Sequence, residues 1–258
     1  MNETRGEKGL KVLTEQRFGK ILAIVESRGS VTVAELMKDL KSSESTIRRD
    51  LTTLDKEGLL TKVRGGAISK TSFATRDDEV KLRRERNTKE KISIGKYAAS
   101  LIQKNDFVYI DAGTSTDLML DHIKEREAVY VTNAVSHAMR LAGIGCKVFL
   151  LGGEFKHTTE AIVGEEAILS IEKYNFTKGF FGTNGITEKN GYTTPEVKEA
   201  MVKRHAMKCC KECFVLADDS KFGQVSAVKF GKFEDAVVIT NKIPKGFKDK
   251  KNIKEVGA

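Results

Sequence analysis

The stretch SSESTIRRDLTTLDKEGLLTKVRGGA, residues 42–67, begins with a helical pattern. Ile47, Leu51 and Leu54 recur at the spacing of one helical face. Steps of about 100° per residue turn Arg49 outward, about 200° from Ile47. Polar and basic side chains on one exposed helical face suit contacts to DNA phosphates and base edges. The pattern predicts a helix whose candidate DNA contacts are Ser43, Ser45, Thr46, Arg48, Arg49, Thr52 and Thr53.

A short alternating segment follows this helix and ends at Gly65 and Gly66. Alternation is typical of a β-strand, and paired glycines permit a tight turn or a close backbone approach. Such a strand has two sides, one with Leu59, Thr61 and Val63 and the other with Leu60, Lys62 and Arg64. The segment predicts a β-wing in which Lys62 and Arg64 carry positive charge to a neighbouring phosphate or minor groove.

Two further helical patterns precede this stretch. Their apolar residues recur at i, i+3, i+4 and i+7, as Phe18, Ile21, Leu22 and Val25 and then as Val33, Leu36, Met37 and Leu40. Gly29 and Ser30 separate the two helices, and Thr32 can cap the second. Three short amphipathic helices can enclose a small core. Periodicity alone leaves two interpretations open, a DNA-binding domain and an ordinary three-helix domain with a solvated charged face.

The composition is that of a globular protein. The 258 residues are 40% hydrophobic and 31% charged, with a net charge of +9 and four cysteines. A basic balance spread along the chain is weak evidence for nucleic acid by itself. No apolar run approaches the roughly 18 residues of a spanning helix, and the first residues lack the apolar core of a signal peptide. We therefore expect a cytoplasmic protein without a membrane partner.

From Thr88 onward, short β-rich runs alternate with helical patterns. The predicted strands are residues 107–111, 128–132, 147–151, 178–182, 213–217 and 236–240. The predicted helices lie near residues 90–102, 115–125, 134–142, 163–173 and 196–212. Such alternation predicts a Rossmann-like α/β domain with a mainly parallel sheet covered on both faces. The mixed charges of residues 69–90 indicate a linker or interdomain helix.

Polar or glycine-rich residues follow most of these strands. Ligands of open α/β sheets bind outside the carboxyl ends of the strands, and a helix that starts there favours an anion. One such ending alone is more often a capped helix or a tight turn, but five in one sheet favour a small anionic ligand. The candidate contacts are Gly113, Thr114, Ser115, Thr116, Asn133, Gly152, Gly153, Thr183, Asn184, Lys203 and Lys221, with Asp111 beside them.

The chain resembles the DeoR family of transcriptional regulators along nearly its whole length. TIRRDL, DKEGLL and GGA match the family's winged helix-turn-helix in order and spacing. The family's effector domain is matched, in the same order, by the segments YIDAGTST, VTNAVSHAMRLA, LLGGEFKHTTEAIVG, FFGTNGI, GYTTPEVKEAMVKR and VLADDSKFG of this chain. Arg64 stands where many members carry histidine, Ser115 where threonine is commoner, and Met201 where an acidic residue is frequent.

This resemblance implies an α/β protein with two domains. Residues 1–68 would form the winged helix-turn-helix, residues 69–90 the linker, and residues 91–258 an effector domain similar to ribose-5-phosphate isomerase and CoA transferase. Effector domains of the family commonly sense phosphorylated sugars. The matching positions imply phosphate contacts from Gly113, Thr114 and Ser115, and ligand or loop contacts from Thr132, Asn133, Gly152, Gly153, Lys203 and Lys221.

The implied function is repression of a sugar-utilisation operon through a double-stranded DNA operator. Fructose 1-phosphate is the first candidate effector, because the resemblance extends to members that regulate sugar uptake through phosphotransferase systems, including those for fructose utilisation. An activator, or a regulator that responds to tagatose 6-phosphate or another hexose phosphate, is the alternative. An operator with two half-sites requires at least a dimer, so we expect a homo-oligomer, a dimer or a tetramer.

A sugar-phosphate isomerase is the rival from another class. Isomerisation needs a carboxylate base beside the sugar carbons, and Asp111, Glu199 and Asp218 are the candidates. The acidic loop of the isomerase is replaced here by residues 182–186, GTNGI, so no enzymatic activity is expected. His205, Cys209 and Cys213 would recur on one helix, but residues eight apart lie about 12 Å apart, too far to share a zinc ion. We predict no metal and no cofactor.

Overall fold

The computed structural model describes residues 14, 16–25, 30–63, 65–69, 73–74 and 80–257. The chain divides into two compact units, Met1–Phe73 and Ala74–Ala258. Arg64 and much of the predicted linker lie outside the described residues. No helix in the described part of the chain is long and apolar enough to cross a membrane.

The described residues of the first unit form three helices and a three-stranded antiparallel sheet. Its elements are α1 (residues 16–25), β1 (Ser30–Thr32), α2 (Val33–Leu40), α3 (Glu44–Lys56), β2 (Leu60–Val63) and β3 (Gly66–Ser69). The strand order is β1-β3-β2. Thr32 starts α2 with a capping box to Glu35, and Ser43 caps α3 through the Thr46 amide. The predicted winged helix-turn-helix is confirmed.

Apolar residues from all three helices and the wing meet in one core. Its fully buried members include Ile21, Leu36, Ile47, Leu51, Leu54 and Leu60. The strand β1 was not predicted, and it explains one of the paired glycines. A Cβ atom on Gly66 would lie 2.1 Å from the Val31 carbonyl oxygen, so only glycine lets β3 approach β1 this closely.

The second unit is built on a seven-stranded sheet in which every strand runs parallel to its neighbours. Its strands are β5 (Phe107–Ile110), β6 (Val129–Thr132), β7 (Lys147–Leu150), β10 (Phe176–Gly182), β13 (Cys210–Leu216), β16 (Val237–Thr240) and β17 (Ile253–Glu255). The six predicted strands are confirmed, and β17 was missed because its residues form no apolar run.

Helices cover both faces of this sheet. They are α4 (Val80–Glu85), α5 (Thr88–Ser100), α6 (Thr114–Met119), α7 (Val135–Gly143), α8 (Glu165–Ile171) and α9 (Val197–Lys208). Buried residues of α5, α6 and α7 pack in one cluster, and those of α8 and α9 pack in another. Short 3-10 turns occur at Leu120–His122, Asp219–Lys221, Phe233–Asp235 and Lys245–Phe247.

The remaining strands are short and lie outside the main sheet. They are β4 (Phe73–Ala74), β8 (Glu154–Lys156), β9 (Ala161–Val163), β11 (Gly185–Thr187), β12 (Gly191–Thr194), β14 (Val225–Ser226) and β15 (Val228–Gly231). The strands β8 and β9 form an antiparallel hairpin, and β11, β12 and β15 form a small antiparallel sheet.

The predicted helix over residues 196–212 was too long. The helix α9 ends at Lys208, and the chain enters β13 at Cys210. His205 therefore lies on a helix and Cys213 on a strand, so the even helical spacing assumed for them was wrong. The thiols of Cys210 and Cys213 donate to the carbonyl oxygens of Ala206 and Met207. Among the residues described, no group of His, Cys, Asp or Glu is arranged to hold a metal ion.

Candidate functional sites

The outward face of α3 forms the first candidate site. Ile47, Leu51 and Leu54 are fully buried, whereas Arg49 is exposed, as the helical rotation predicts. The hydroxyl of Ser43 lies 3.1 Å from that of Ser45 and 2.9 Å from that of Thr46. The N-terminal end of α3 therefore presents a cluster of three hydroxyl groups next to the arginines.

The two arginines of α3 differ in their contacts. Arg48 donates from Nε to the Glu44 carboxylate at 2.8 Å, an i, i+4 ion pair. The Arg49 guanidinium has no hydrogen bond or ion pair with any residue the structure describes. As far as the described residues are concerned, all the N–H donors of the Arg49 guanidinium are therefore available to bind a partner, whereas those of Arg48 are partly engaged.

The other predicted contacts of this site are partly engaged within the protein. The hydroxyls of Thr52 and Thr53 donate to the carbonyl oxygens of Arg48 and Arg49. Lys62 donates from Nζ to the Thr52 hydroxyl at 2.6 Å, which places the wing lysine beside α3. Arg64 lies outside the described residues, so its prediction stays a prediction.

A buried ion pair that sequence reasoning missed holds α1 to α3. The Asp50 carboxylate is nearly inaccessible and accepts from Nε and Nη2 of Arg17, the second at 3.0 Å. Asp50 lies on the same side of α3 as Ile47, and a carboxylate that faces a core needs a partner. That placement was the available signal, but it did not identify Arg17, 33 residues away.

The second candidate site is a cleft at the carboxyl ends of β5 and β6. Its walls include the β5–α6 turn, the start of α7 and the β8–β9 turn, and its lining residues are Arg84, Ala112, Gly113, Thr114, Asp117, Ala134, Ser136, His137, Thr159 and Glu160. The chain proceeds from β5 to β6 on one side, whereas β10 neighbours β5 on the other. The cleft therefore lies beside the topological switch point, the usual ligand position in such sheets.

A buried ion pair connects the two strands at the switch point. The Asp111 carboxylate follows β5 and accepts from Nζ of Lys203 and, at 3.1 Å, from the Gly182 amide. Both charged side chains are almost inaccessible. Burial raises the pKa of Asp111 in spite of the neighbouring ammonium group. The ion pair is therefore a rigid part of the strand ends beside the cleft. The positive charge of Lys203 is already neutralised by the Asp111 carboxylate.

The predicted effector residues differ in what their polar atoms do. Thr114 lines the cleft and Ser115 follows it at the start of α6, and the described residues offer their hydroxyls no hydrogen-bond partner. The side chains of Thr116, Thr132, Asn133 and Thr183 are instead hydrogen-bonded to backbone groups, and Asn184 accepts from Thr194. These five side chains are therefore engaged in hydrogen bonds that stabilise the chain at the strand ends.

Of the predicted effector residues, Gly113 and Thr114 belong to the described lining of the cleft, and three others lie well away from it. Gly152 and Gly153 follow β7, and Gly153 has a φ of +141° with the Val163 carbonyl oxygen only 2.8 Å from a built Cβ atom. The position therefore needs glycine for the chain path. Lys221 lies in the turn after β13, two strands away from β5.

Asp117 is the centre of a polar group that the sequence did not reveal. Its carboxylate lies 3.1 Å from Nε of Arg84 and 3.6 Å from Nε2 of His137, and it also accepts from Arg140. Arg84 belongs to the charged run KLRRER, residues 81–86, whose pattern is typical of a solvated helix face. Only the folded chain places it at the cleft.

His137 is buried at the wall of this cleft. Burial and the neighbouring Arg140 and Arg84 lower its pKa from the ordinary 6.5 to about 4, although Asp117 opposes the shift. The imidazole is therefore neutral near pH 7, and its Nδ1 atom has no hydrogen-bond partner among the described residues.

We expect His137 to make the second unit less stable as the pH falls. The unfolded imidazole gains a proton near its ordinary pKa, whereas the folded one stays neutral until about pH 4. This contribution is complete above the unfolded pKa and decreases below it, by about 2 kcal/mol between about pH 7.5 and about pH 5. His137→Gln, which keeps an amide beside Asp117, should remove that part of the pH dependence.

Urea unfolding measures this difference. All five tyrosines lie in the second unit and the chain has no tryptophan, so tyrosine fluorescence reports on this unit alone. The exposed His157→Gln is the matched control and should keep the pH dependence of the unchanged protein. An identical pH dependence in His137→Gln and the unchanged protein would contradict the assignment.

Comparison with known proteins places the chain among regulators. A model of the DeoR-like helix-turn-helix domain matches residues 17–73, and one of the DeoR C terminal sensor domain matches residues 86–242. The HTH-type transcriptional regulator FruR of Bacillus subtilis (strain 168), itself described as uncharacterized, is 40% identical over 89% of this chain and 91% of its own. The lactose phosphotransferase system repressor of Staphylococcus aureus (strain NCTC 8325 / PS 47) is 31% identical over 87% and 90%.

Comparison with solved structures gives matches to about half of the chain. Ribose 5-phosphate isomerase A of Methanocaldococcus jannaschii matches 53% of this chain and 55% of its own at 14% identity, with a TM-score of 0.40. The eIF2B delta subunit of Chaetomium thermophilum matches 55% and 51% at 17% identity, with a TM-score of 0.41.

Proposed function

Because this chain belongs to the DeoR family of DNA-binding transcriptional regulators, we propose that it represses a sugar-utilisation operon and that a phosphorylated sugar lowers its affinity for the operator. Relatives named for a phosphotransferase system repressor support the negative sign of regulation. The first unit would bind the operator through α3 and the wing, and the second would bind the effector in its cleft.

The chemistry of the cleft carries this proposal. The hydroxyls of Thr114 and Ser115 can donate to phosphate oxygens, and the half-exposed guanidinium of Arg84 can add a charged fork. His137 and the β8–β9 turn, with Thr159 and Glu160, offer groups that can bind sugar hydroxyls. A ligand with an anionic end and a hydroxylated end fits this distribution.

Two of the three carboxylates considered for an isomerase base, Asp111 and Glu199, are held in other contacts, whereas Asp218 accepts from Asn87 and Ser220 through Oδ1 alone among the described residues. Asp111 is paired with Lys203, and Glu199 accepts from Thr159 and, at 3.0 Å, from Lys156. Burial raises the pKa of Glu199, but Lys203, Thr159 and Lys156 together hold it below its ordinary value. These contacts favour a binding site over a catalytic one.

Regulation would follow from linkage between two states. A ligand shifts an equilibrium only through its different affinities for the two states, so the effector must bind more tightly when the protein is off the operator. A two-fold operator requires two copies of α3 at a defined spacing, which is the basis for proposing a dimer or a tetramer. Effector binding would favour an arrangement with another spacing.

Fluorescence anisotropy of the full chain on its own upstream DNA tests this function. The titration is repeated with fructose 1-phosphate, tagatose 6-phosphate and other hexose phosphates, and with each unphosphorylated sugar. We expect one ester to weaken operator binding by at least about tenfold, which corresponds to about 1.4 kcal/mol of coupling, while its free sugar has no effect. Tight operator binding that ignores every ester would refute the effector class and leave the DNA-binding function in place.

A further inference from the structure

Arg84 joins the effector cleft to the segment that leads to the DNA-binding unit. It lies on α4, the first helix of the second unit in the described chain, and its side chain lines the cleft. Its Nε atom lies 3.1 Å from Oδ2 of Asp117. We propose that a bound phosphate ester takes Arg84 from Asp117, and that this exchange moves α4 and so transmits effector binding to the first unit. The inference rests on the proposed effector site.

The two partners of this ion pair differ in how firmly they are held. The Arg84 side chain is 44% exposed and the Asp117 side chain only 9%. Arg140 donates from Nη1 to both the carboxylate and the main-chain oxygen of Asp117, the second at 2.9 Å, and from Nη2 to Asp121. If Arg84 leaves, Asp117 therefore keeps a charged partner and does not become an uncompensated buried carboxylate.

The phosphate is the stronger partner for Arg84. A guanidinium binds phosphate through two parallel hydrogen bonds, whereas the Arg84 contact to Asp117 uses Nε alone. Thr114 also lines the cleft, and Ser115 follows it at the start of α6, so a phosphate beside these hydroxyls would lie at the same wall as Arg84. The exchange thus replaces one charged contact by a better one.

The junction after α4 gives the helix a fixed point about which to move. Asn87 has a left-handed φ of 52°, and its side chain donates to Asp218 at 2.8 Å and to Ser220 at 3.3 Å. The buried Lys91 donates from Nζ to the Arg83 carbonyl oxygen. The Asn87 contacts hold the start of α5 to the turn after β13, and the Lys91 contact joins α5 to α4. A pull on Arg84 therefore acts on α4, on the side that continues toward the first unit.

The test compares Arg84→Met with Lys89→Met, a charge-matched control at an exposed position of α5. Operator affinity is measured by anisotropy with and without saturating ester, and ester affinity by calorimetry without DNA. The probe is fructose 1-phosphate, or the panel ester that releases the unchanged protein. For Arg84→Met we expect at least about tenfold weaker ester binding and a smaller ester-induced change in operator affinity at saturation. Lys89→Met should behave as the unchanged protein.

A second variant should shift ester affinity in the opposite direction. Asp117→Asn removes the charge that competes for Arg84 and still accepts a hydrogen bond from Arg140, so ester binding should tighten and release should need less ester. Weaker ester binding in Asp117→Asn would contradict the exchange.

Two results overturn the proposal while the function stands. One is ester binding and release in Arg84→Met equal to those of the unchanged protein. The other is weaker ester binding with full release at saturation, which would make Arg84 a ligand contact without a transmitting role. If no ester releases the unchanged protein, the proposed function fails first and this inference fails with it.

Discussion

Replacing Lys203 by methionine should destabilise the second unit by about 3–5 kcal/mol, the usual cost of removing one partner of a buried ion pair. Asp111 is nearly inaccessible and would keep only the Gly182 amide, 3.1 Å away, as a partner. Burial already raises its pKa, so the carboxyl group would take up a proton instead of remaining charged. A charged Asp111 without its partner and a protonated Asp111 both lower the free energy of unfolding. Urea titration with tyrosine fluorescence measures this decrease.

The double variant Lys203→Met with Asp111→Asn separates the lost ion pair from lost packing. An asparagine carries no charge and can still accept from the Gly182 amide, so the double variant should recover much of the loss. Lys198→Met is the matched control on the same helix, because Lys198 pairs with Glu154 at the exposed surface, and it should leave stability nearly unchanged. A double variant as unstable as Lys203→Met alone would show that packing, not charge, is responsible.

Arg49→Ala should weaken specific operator binding by about 10- to 100-fold, corresponding to about 1–3 kcal/mol for a bidentate contact to a base. Arg49 is exposed, and the described residues leave its guanidinium without a hydrogen bond or ion pair, so folding should not change. Anisotropy on operator DNA and on unrelated DNA measures the effect. The loss should be larger on the operator, because a base contact adds specificity and a phosphate contact does not.

Two controls separate the shape of the arginine from its charge. Arg49→Lys keeps the charge without the planar fork and should lose nearly as much operator affinity as Arg49→Ala. Lys56→Ala removes a cation from the last turn of the same helix and should weaken binding to both DNAs alike. Full operator affinity in Arg49→Lys would assign Arg49 to a phosphate, and unaltered affinity in Arg49→Ala would refute the orientation of α3 on DNA.

The predictable part of the fold rests on local periodicity. The spacing of Ile47, Leu51 and Leu54 determines which side of α3 is buried, whatever the rest of the chain does. The apolar runs of the six predicted strands work in the same way, because a strand buried on both faces must be apolar throughout. The strand β17 escaped prediction because, with only Ile253 apolar, it carries no such run.

The candidate sites were predictable only where they follow from the strand ends. Gly113, Thr114 and Ser115 come directly after β5, and the rule for parallel sheets places them at the ligand edge. The same rule does not rank one strand end above another. The switch point between β5 and β10 depends on the strand order, which no local pattern encodes.

The sequence by itself determined most of the helices, the wing, six of the seven strands of the main sheet and the outward direction of Arg49, because each depends on neighbours within one or two turns of the chain. The tertiary structure decided the partners of the buried charges. Asp50 pairs with Arg17 across 33 residues, Asp117 with Arg84 across 33, and Asp111 with Lys203 across 92. A buried charge must find a partner, but which partner it finds depends on how the whole chain is folded.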